Sequence, residues 1–188
     1  VSLYKQEHLP WPFITLLRFS TILKAKEELS KFDWVLFLDA DMVVVDTIKP
    51  SDIFGTKPLI GVHHPCHYLK MNPHGEYPGA FETDENSTAA VDEEHDLSVY
   101  FQGCLWGGRV PEVIDMMKEL DRRTQDDLKR DVIAKWHDES QMNKFFSERR
   151  TDVKVLHPAF AFPEDFESQC QFEPKMVHVS KDNSKYHK

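Results

Sequence analysis

The sequence has no long apolar run. None of its hydrophobic stretches reaches the roughly 18 residues that a transmembrane helix needs, and no basic segment followed by an apolar one opens the chain as a signal peptide would. We therefore expect no stable membrane span in this chain. The first residue is Val1 instead of Met, which leaves open that an N-terminal part has been lost.

Cysteine and basic charge are also scarce. The three cysteines, Cys66, Cys104 and Cys170, are odd in number and widely spaced, so they predict no disulfide framework and favour a reducing compartment. Asp and Glu number 32 against 23 Lys and Arg, which gives a formal net charge of -9. Nucleic acids and anionic membranes demand a basic surface, so we expect neither as a partner. Any anionic ligand would need a local cation.

What is present suffices for one globular domain. A chain of 188 residues with 40% hydrophobic and 12% aromatic content can bury a sizeable core. No internal repeat or low-complexity tract is visible. We therefore expect a single domain over residues 1–188.

Hydrophobic periodicity predicts alternating helices and strands. Helical spacing predicts amphipathic helices over about 12–29 and 112–134, and the Val-rich run at 33–46 predicts a strand buried on both faces of a sheet. The Pro-, Gly- and acid-rich segment 65–96 is typical of a long functional loop. Further strands are predicted at 58–64, 97–108 and 153–157. This order predicts an α/β fold with a mostly parallel central sheet and flanking helices.

Asp39 and Asp41 stand two apart at the carboxyl end of the apolar run. Both carboxylates could converge on one hard divalent cation, which would remove the cost of burying them unpaired. Two metal chemistries share this spacing. In a haloacid dehalogenase-like phosphatase the first Asp is a nucleophile beside Mg²⁺, and in a GT-A type glycosyltransferase the pair holds Mn²⁺ against a diphosphate. A plain turn is disfavoured because Met-Val-Val-Val follows in place of Gly, Asn or Pro.

The stretch WHDESQMNKFF, residues 136–146, sets Asp138 and Glu139 side by side. Asp138 with Gln141 three residues later is typical of an N-cap and capping box. The same stretch closely resembles the Trp-His-Asp-Glu-Ser-His-Leu-Asn-Lys-Tyr signature of glycosyltransferase family 6, which holds the blood-group A and B transferases, the α-1,3-galactosyltransferases and bacterial and phage relatives. A capping role and a catalytic role can coexist at one helix terminus.

The resemblance to family 6 extends over about residues 11–185. Four further segments carry it: LLRFSTI at 16–22, HHPCHY at 63–68, FETDENSTAAV at 81–91 and YFQGCLWGG at 100–108. The family's first βα units have no counterpart before Val1, so the resemblance implies an N-terminally truncated or shortened GT-A domain. The metal-binding loop that the phosphatase family needs after its first Asp is not found.

Family resemblance also implies a reaction and its residues. Family 6 enzymes move galactose or N-acetylgalactosamine from a UDP-sugar to the 3-hydroxyl of a β-galactoside with retention of the α anomer, using Mn²⁺; Mg²⁺ is the alternative ion. Glu139 would be the catalytic carboxylate, as a nucleophile or as a stabiliser of the transition state. The other implied roles are metal binding by Asp39 and Asp41, donor binding by Arg18, Asp39, Gln102, Cys104, Asp138 and Lys181, and acceptor binding by His64 and Trp136.

Several alternatives stay open at this point. A noncatalytic carbohydrate- or metal-binding remnant of the fold is the second functional hypothesis. The segment from His63 to His67 could be an adventitious zinc cluster, and the tail around Lys181 could be a plain polar terminus. Cys104 should crowd an N-acetyl group and favour UDP-galactose, although Gln102 could reverse this. We expect a cytoplasmic bacterial or phage-type protein, or a membrane-anchored one in the Golgi lumen if a lost N-terminus carried an anchor.

Overall fold

The structure is a computed structural model that describes residues 3–70, 81–169 and 171–180. Within these ranges the helices are α1 (Phe13–Leu16), α2 (Arg18–Leu23), α3 (Lys26–Leu29), α4 (Pro50–Ile53), α5 (Pro65–Tyr68), α6 (Val110–Leu128) and α7 (His137–Glu148). The strands are β1 (Trp34–Leu38), β2 (Met42–Val44), β3 (Leu59–His63), β4 (Phe101–Arg109), β5 (Val153–Leu156), β6 (Phe162–Pro163) and β7 (Met176–His178). No helix in the described ranges is long and apolar enough to cross a bilayer.

Four strands form the larger sheet, in the order β1-β4-β3-β5. β4 runs antiparallel to both of its neighbours, whereas β3 and β5 pair in parallel. The α/β class with flanking helices is confirmed. The parallel arrangement holds for the common direction of β1, β3 and β5, but within this sheet of described strands the β3–β5 pairing alone is parallel. For β4 to lie parallel to β3, a crossover connection would have to join them, and in the described part of the segment between them α5 is the only helix and is short.

The apolar run at 33–46 forms two strands instead of one. β1 ends at Leu38, the chain turns through Asp39 to Asp41, and β2 pairs with β7 in a second sheet of order β2-β7-β6. β1 pairs only with β4 among the described strands, so its residues are half-buried or exposed, and Leu38 is 40% exposed. The prediction of a strand buried on both faces is therefore wrong.

The predicted N-terminal helix is broken into α1, α2 and α3. The breaks fall at Leu17 and Ala25, where ψ rises to 19° and 11°. Near the second break the amide of Ala25 donates to the carbonyl of Ile22, three residues back instead of four, which tightens the turn. The apolar stripe survives the breaks, because Phe19 is buried in the core beside Trp106.

β4 is the centre of the larger sheet and ends in a glycine pair. A Cβ on Gly107 would collide with the carbonyl oxygen of Val35 in β1, and a Cβ on Gly108 would collide with that of Pro58 before β3. Glycine at both positions lets the strands on either side approach closely. Because β1 packs closely against β4, the carboxyl end of β1 lies beside the middle of β4.

The predicted loop at 65–96 begins with α5, and its described part, residues 81–96, contains neither helix nor strand. Residues 71–80 lie outside the described residues. The buried carboxylate of Asp127 in α6 accepts bonds from the hydroxyl of Ser87 at 2.9 Å and the amide of Thr88 at 2.8 Å. The buried carboxylate of Glu82 accepts a bond from the amide of Lys135 at 2.6 Å. The loop thus supports the turn that leads into α7.

Candidate active site

A cavity of about 200 Å³ lies where β1, the middle of β4, the start of α7 and the α1–α2 junction meet. Its walls are formed by Thr15, Arg18, Asp39, Gln102, Gly103, Cys104, Trp136, His137, Asp138, Glu139 and His178. Most of the residues singled out from the sequence therefore lie in one place. Asp41 lies beside it through its contact with His178, His64 lies behind it, and Lys181 lies outside the described residues.

The carboxylate of Glu139 is held by two hydrogen bonds. Oε1 accepts from the hydroxyl of Tyr100 at 2.9 Å, and Oε2 accepts from the amide of Gly103 at 2.6 Å. Burial raises the pKa of Glu139 to about 7, against the opposing effect of these two bonds. Burial and the neighbouring Glu139 raise the pKa of Tyr100, so its hydroxyl remains a donor. Burial thus opposes ionisation of this carboxyl, and the two hydrogen bonds favour it.

Asp138 forms a buried ion pair with Arg18. Nη1 of Arg18 lies 2.9 Å from Oδ2 of Asp138 and donates to the carbonyl of Gly103 at 2.9 Å. Nη2 of the same guanidinium lies 3.6 Å from Oδ1 of Asp39. Burial raises the pKa of Asp138 to about 6 even though Arg18 lowers it. Arg18 thus links the α7 carboxylate, the β4 backbone and the end of β1.

The acidic pair does not form the predicted capping box. α7 begins at His137, two residues earlier than an Asp138 cap would place it, and its N-cap, Trp136, makes no side-chain capping bond. Asp138 is therefore inside the first turn, where its side chain faces Arg18. Gln141 instead donates to Asp127 at 3.0 Å. The capping prediction is wrong because a buried cation competes for the aspartate.

The helix start is also conformationally strained. His137 has a φ of 51°, a left-handed value that is rare for a residue with a side chain. Its Nδ1 lies 3.3 Å from the hydroxyl of Thr15, and its ring packs edge-on against Trp11 at 4.9 Å. Such backbone outliers cluster at functional sites. His137 and Thr15 were not singled out from the sequence, although His137 lies inside the quoted signature.

Asp39, Asp41 and His178 form a cluster that could hold a divalent cation. One ligand atom from each residue lies within 4.8 Å of the other two. Nε2 of His178 is 3.2 Å from Oδ1 of Asp41. Two carboxylates and an imidazole suit a first-row divalent ion such as Mn²⁺. His178 was not singled out from the sequence, since a single histidine in a polar tail has no distinguishing pattern.

Gln102, Gly103 and Cys104 bring β4 to the cavity wall. A Cβ on Gly103 would lie 3.2 Å from Oε2 of Glu139 and 3.6 Å from Nη1 of Arg18, so glycine leaves room for both side chains. Oε1 of Gln102 is buried without a hydrogen-bond partner among the described residues. The thiol of Cys104 is buried, which raises its pKa. The cavity wall here is tight and carries one unsatisfied acceptor.

The two residues expected to bind an acceptor are placed differently. Trp136 lines the cavity, and its indole Nε1 is buried without a hydrogen-bond partner in the described part of the chain. His64 does not line the cavity. Its Nδ1 accepts from the amide of Cys66 at 3.2 Å, and its ring packs against Tyr100 at 5.8 Å. His64 is thus one side chain removed from Glu139.

The suggested zinc cluster at 63–67 lacks a third ligand. Nε2 of His63 lies 2.8 Å from Nδ1 of His67. Over the described residues, the one group of three or more potential metal-ligating side chains is that of Asp39, Asp41 and His178. A structural zinc site takes four ligands. The pair instead ties α5 to the end of β3.

Comparison with known proteins identifies the family. The family model described as Glycosyltransferase family 6 matches residues 3–188. The chain belongs to glycosyltransferase family 6. It is 32% identical over 156 residues to the O-antigen biosynthesis glycosyltransferase WbnI of Escherichia coli, covering 83% of this chain and 63% of WbnI.

Two mammalian relatives are more distant. Globoside alpha-1,3-N-acetylgalactosaminyltransferase 1 of Mus musculus is 29% identical over 162 residues, which are 85% of this chain and 44% of the mouse protein. Histo-blood group ABO system transferase 2 of Rattus norvegicus is 25% identical over 182 residues, which are 96% of this chain and 52% of the rat protein. This family 6 chain therefore spans between 44% and 63% of the length of these relatives.

Family membership sets the kind of chemistry. A family 6 glycosyltransferase implies a nucleotide-sugar donor and a glycan acceptor, and its α/β architecture is consistent with the GT-A type. The phosphatase alternative is therefore wrong. The carboxylates that it would have used for phosphate hydrolysis belong to a chain of glycosyltransferase family 6.

Proposed function

We propose that this chain is a metal-dependent, retaining α-1,3-glycosyltransferase. It moves galactose or N-acetylgalactosamine from a UDP-sugar to the 3-hydroxyl of a β-galactoside. One observation carries the proposal: the carboxylate of Glu139, the Arg18–Asp138 ion pair and Asp39 of the metal cluster line the same cavity. A sugar that bridges a metal-bound diphosphate and a buried carboxylate needs this combination of groups.

Glu139 supplies negative charge beside the anomeric carbon. A carboxylate at that point can act as the nucleophile that forms a covalent sugar intermediate or can stabilise an oxocarbenium-like transition state. The hydroxyl of Tyr100 and the amide of Gly103 hold the two oxygens, so the carboxylate cannot rotate away from the cavity. Burial keeps it poorly solvated, which strengthens its interaction with developing positive charge.

Asp138 and Arg18 orient the donor sugar. Asp138 is buried at the cavity wall, where its free acceptor capacity can take hydrogen bonds from sugar hydroxyls. Arg18 keeps Asp138 in place and provides positive charge on the donor side of an otherwise acidic molecule. When bound at Asp39 and Asp41, a divalent cation would act as a Lewis acid that neutralises the leaving diphosphate.

The relatives support the sugar class. The mouse relative is named as an alpha-1,3-N-acetylgalactosaminyltransferase. In this chain the buried thiol of Cys104 in the cavity wall would crowd an N-acetyl group, which favours the smaller galactosyl donor. Trp136 offers an aromatic face to the apolar side of an acceptor galactose at the cavity wall. His64 packs its ring against Tyr100 and so helps to position the hydroxyl that bonds to Glu139.

UDP release tests the proposal directly. The chain is incubated with UDP-galactose or UDP-N-acetylgalactosamine and Mn²⁺, with and without lactose as acceptor, and UDP is measured. We expect release that lactose stimulates and EDTA abolishes. Asp41→Asn should nearly abolish it, whereas Asp46→Asn, a matched change at an exposed aspartate beyond β2, should not. Absence of release with both donors would favour the noncatalytic remnant instead.

A further inference from the structure

We propose that His178 is a third protein ligand of the divalent cation held by Asp39 and Asp41. The inference rests on the proposed function, which puts a cation at the aspartate pair. Its consequence is that the donor site selects a transition metal such as Mn²⁺ over Mg²⁺, because one of its three protein ligands is a nitrogen.

The backbone places His178 at the aspartate turn. β7 pairs antiparallel with β2, and the register sets His178 opposite Met42, the residue that follows Asp41. One residue further on, the amide of Val179 donates to the carbonyl of Asp41 at 2.9 Å. The imidazole therefore approaches the turn from a paired strand, and its position is fixed by main-chain bonds on both sides.

The distances suit shared ligation. Ligand atoms about 2.1 Å from a six-coordinate ion lie about 3 Å apart when they are neighbours. Nε2 of His178 and Oδ1 of Asp41 are 3.2 Å apart, and one ligand atom from each of the three residues lies within 4.8 Å of the others. The side chains of His178 and Asp41 are 25% and 21% exposed, so the cluster is largely shielded while remaining open to an ion.

The location connects the ion to the donor. Asp39 and His178 both line the cavity that contains Glu139 and the Arg18–Asp138 pair. An ion held by the three side chains would therefore lie beside the space available to a diphosphate. Mg²⁺ is bound almost wholly through oxygen ligands, whereas a nitrogen ligand adds affinity for the first-row divalent ions, of which Mn²⁺ gains least and also accepts carboxylates. An ion pair between His178 and Asp41 without a shared metal is the competing explanation of the same contact.

Pulsed electron paramagnetic resonance separates the two explanations. Mn²⁺ is bound to the full chain in the presence of UDP, and nitrogen couplings to the ion are recorded. We expect a coupling from directly bound imidazole, and we expect it to change to the ¹⁵N pattern when the chain is produced with ¹⁵N-labelled histidine. This comparison uses the unaltered chain, so it does not depend on how well any variant folds.

Variants then assign the coupling. His178→Gln should remove it and weaken Mn²⁺ binding at least about tenfold, the minimum typical even of residues behind the ligands, with a much smaller effect on Mg²⁺ binding. His157→Gln, at an exposed histidine outside the cluster, should change neither. Mn²⁺ bound without histidine coupling would overturn the third-ligand assignment and leave the proposed function intact. Failure of the unaltered chain to bind Mn²⁺ with UDP would overturn both.

Discussion

Glu139 is the residue on which the proposed chemistry depends most. Its two carboxylate oxygens are bonded to Tyr100 and Gly103, and its pKa is raised to about 7 chiefly because it is shielded from water. A folded chain that holds this proton longer than the unfolded chain loses stability as pH rises. The desolvation on which the proposed role of Glu139 depends therefore destabilises the ligand-free fold.

Glu139→Gln should relieve that cost. The ordinary pKa of the carboxyl is 4.5 and the folded value is about 7, so the contribution of Glu139 to stability should fall as pH rises through this interval, by up to about 3 kcal/mol. We expect the unfolding free energy of the variant, relative to the unaltered chain, to increase between pH 5 and pH 8. Urea unfolding across this range measures it. Two curves that stay parallel would show that Glu139 titrates normally.

Cys104 is the residue that bears on donor choice. Its thiol is buried in the wall next to Gly103, where under the proposed function it would crowd the N-acetyl group of the bulkier donor. Cys104→Gly should raise the ratio of turnover with UDP-N-acetylgalactosamine to turnover with UDP-galactose by about tenfold or more, as small steric differences of 1–3 kcal/mol allow. Cys66→Ala, at the other buried free cysteine, is the control. A ratio that falls or stays constant would contradict the steric argument.

At the scale of elements, Asn143 fastens α7 to β4. Its Oδ1 accepts from the amide of Phe101 at 2.7 Å, and its Nδ2 donates to the carbonyls of Phe101 at 2.8 Å and Glu139 at 2.9 Å. The side chain is buried and pairs with the strand as another strand would. It therefore sets the distance between the helix that carries Glu139 and the strand that carries Gly103.

Asn143→Asp should loosen this junction. The carboxylate loses both donor bonds and adds charge next to two carbonyl oxygens, so we expect a loss of stability of about 1–3 kcal/mol or more and a fall in turnover. Asn86→Asp makes the same chemical change at an exposed loop position, where it loses a bond to Asp84 and adds a like charge that water screens, so it should cost less. Chemical denaturation of both variants gives the comparison. Equal stability of the two would mean that the junction does not need the amide.

Elements with strong local patterns were predictable from the sequence. Apolar runs and amphipathic spacing predicted the strands β3, β4 and β5 and the long helix α6, because their burial repeats along the chain with a regular period. The second sheet was missed. β6 and β7 have two and three residues, too few to show a period, and they form by pairing across the chain, β7 with β2 and β6 with β7.

The candidate site divides in the same way. The resemblance pointed to Arg18, Asp39, Asp138 and Glu139, which the structure brings together. It could not point to His178. The contact of His178 with Asp41 arises because β7 pairs with β2, and more than a hundred residues separate these two strands in the sequence. Local rules also misassigned Asp138 as a cap, since they take no account of a cation brought in from another helix.

At the scale of the whole molecule, charge determines how a donor can bind. The chain carries a formal charge of -9, and a nucleoside diphosphate sugar is itself anionic. Among the described residues that line the cavity, Arg18 is the one arginine or lysine. Its guanidinium already contacts the carboxylates of Asp138 and Asp39. Under the proposed function, a cation at the aspartate cluster supplies the positive charge that attracts the donor, which would couple metal binding to substrate binding.

The most direct test of the account is the turnover of Glu139→Gln. Transfer from UDP-galactose to lactose with Mn²⁺ is measured near neutral pH for this variant, for the unaltered chain and for Glu148→Gln, which makes the same change at the far end of α7. We predict a loss of about 10²-fold or more for Glu139→Gln, the size typical of removing an electrostatic stabiliser, with the fold retained and Glu148→Gln nearly unaffected. Unchanged turnover in Glu139→Gln would contradict the central claim that this carboxylate acts at the anomeric carbon.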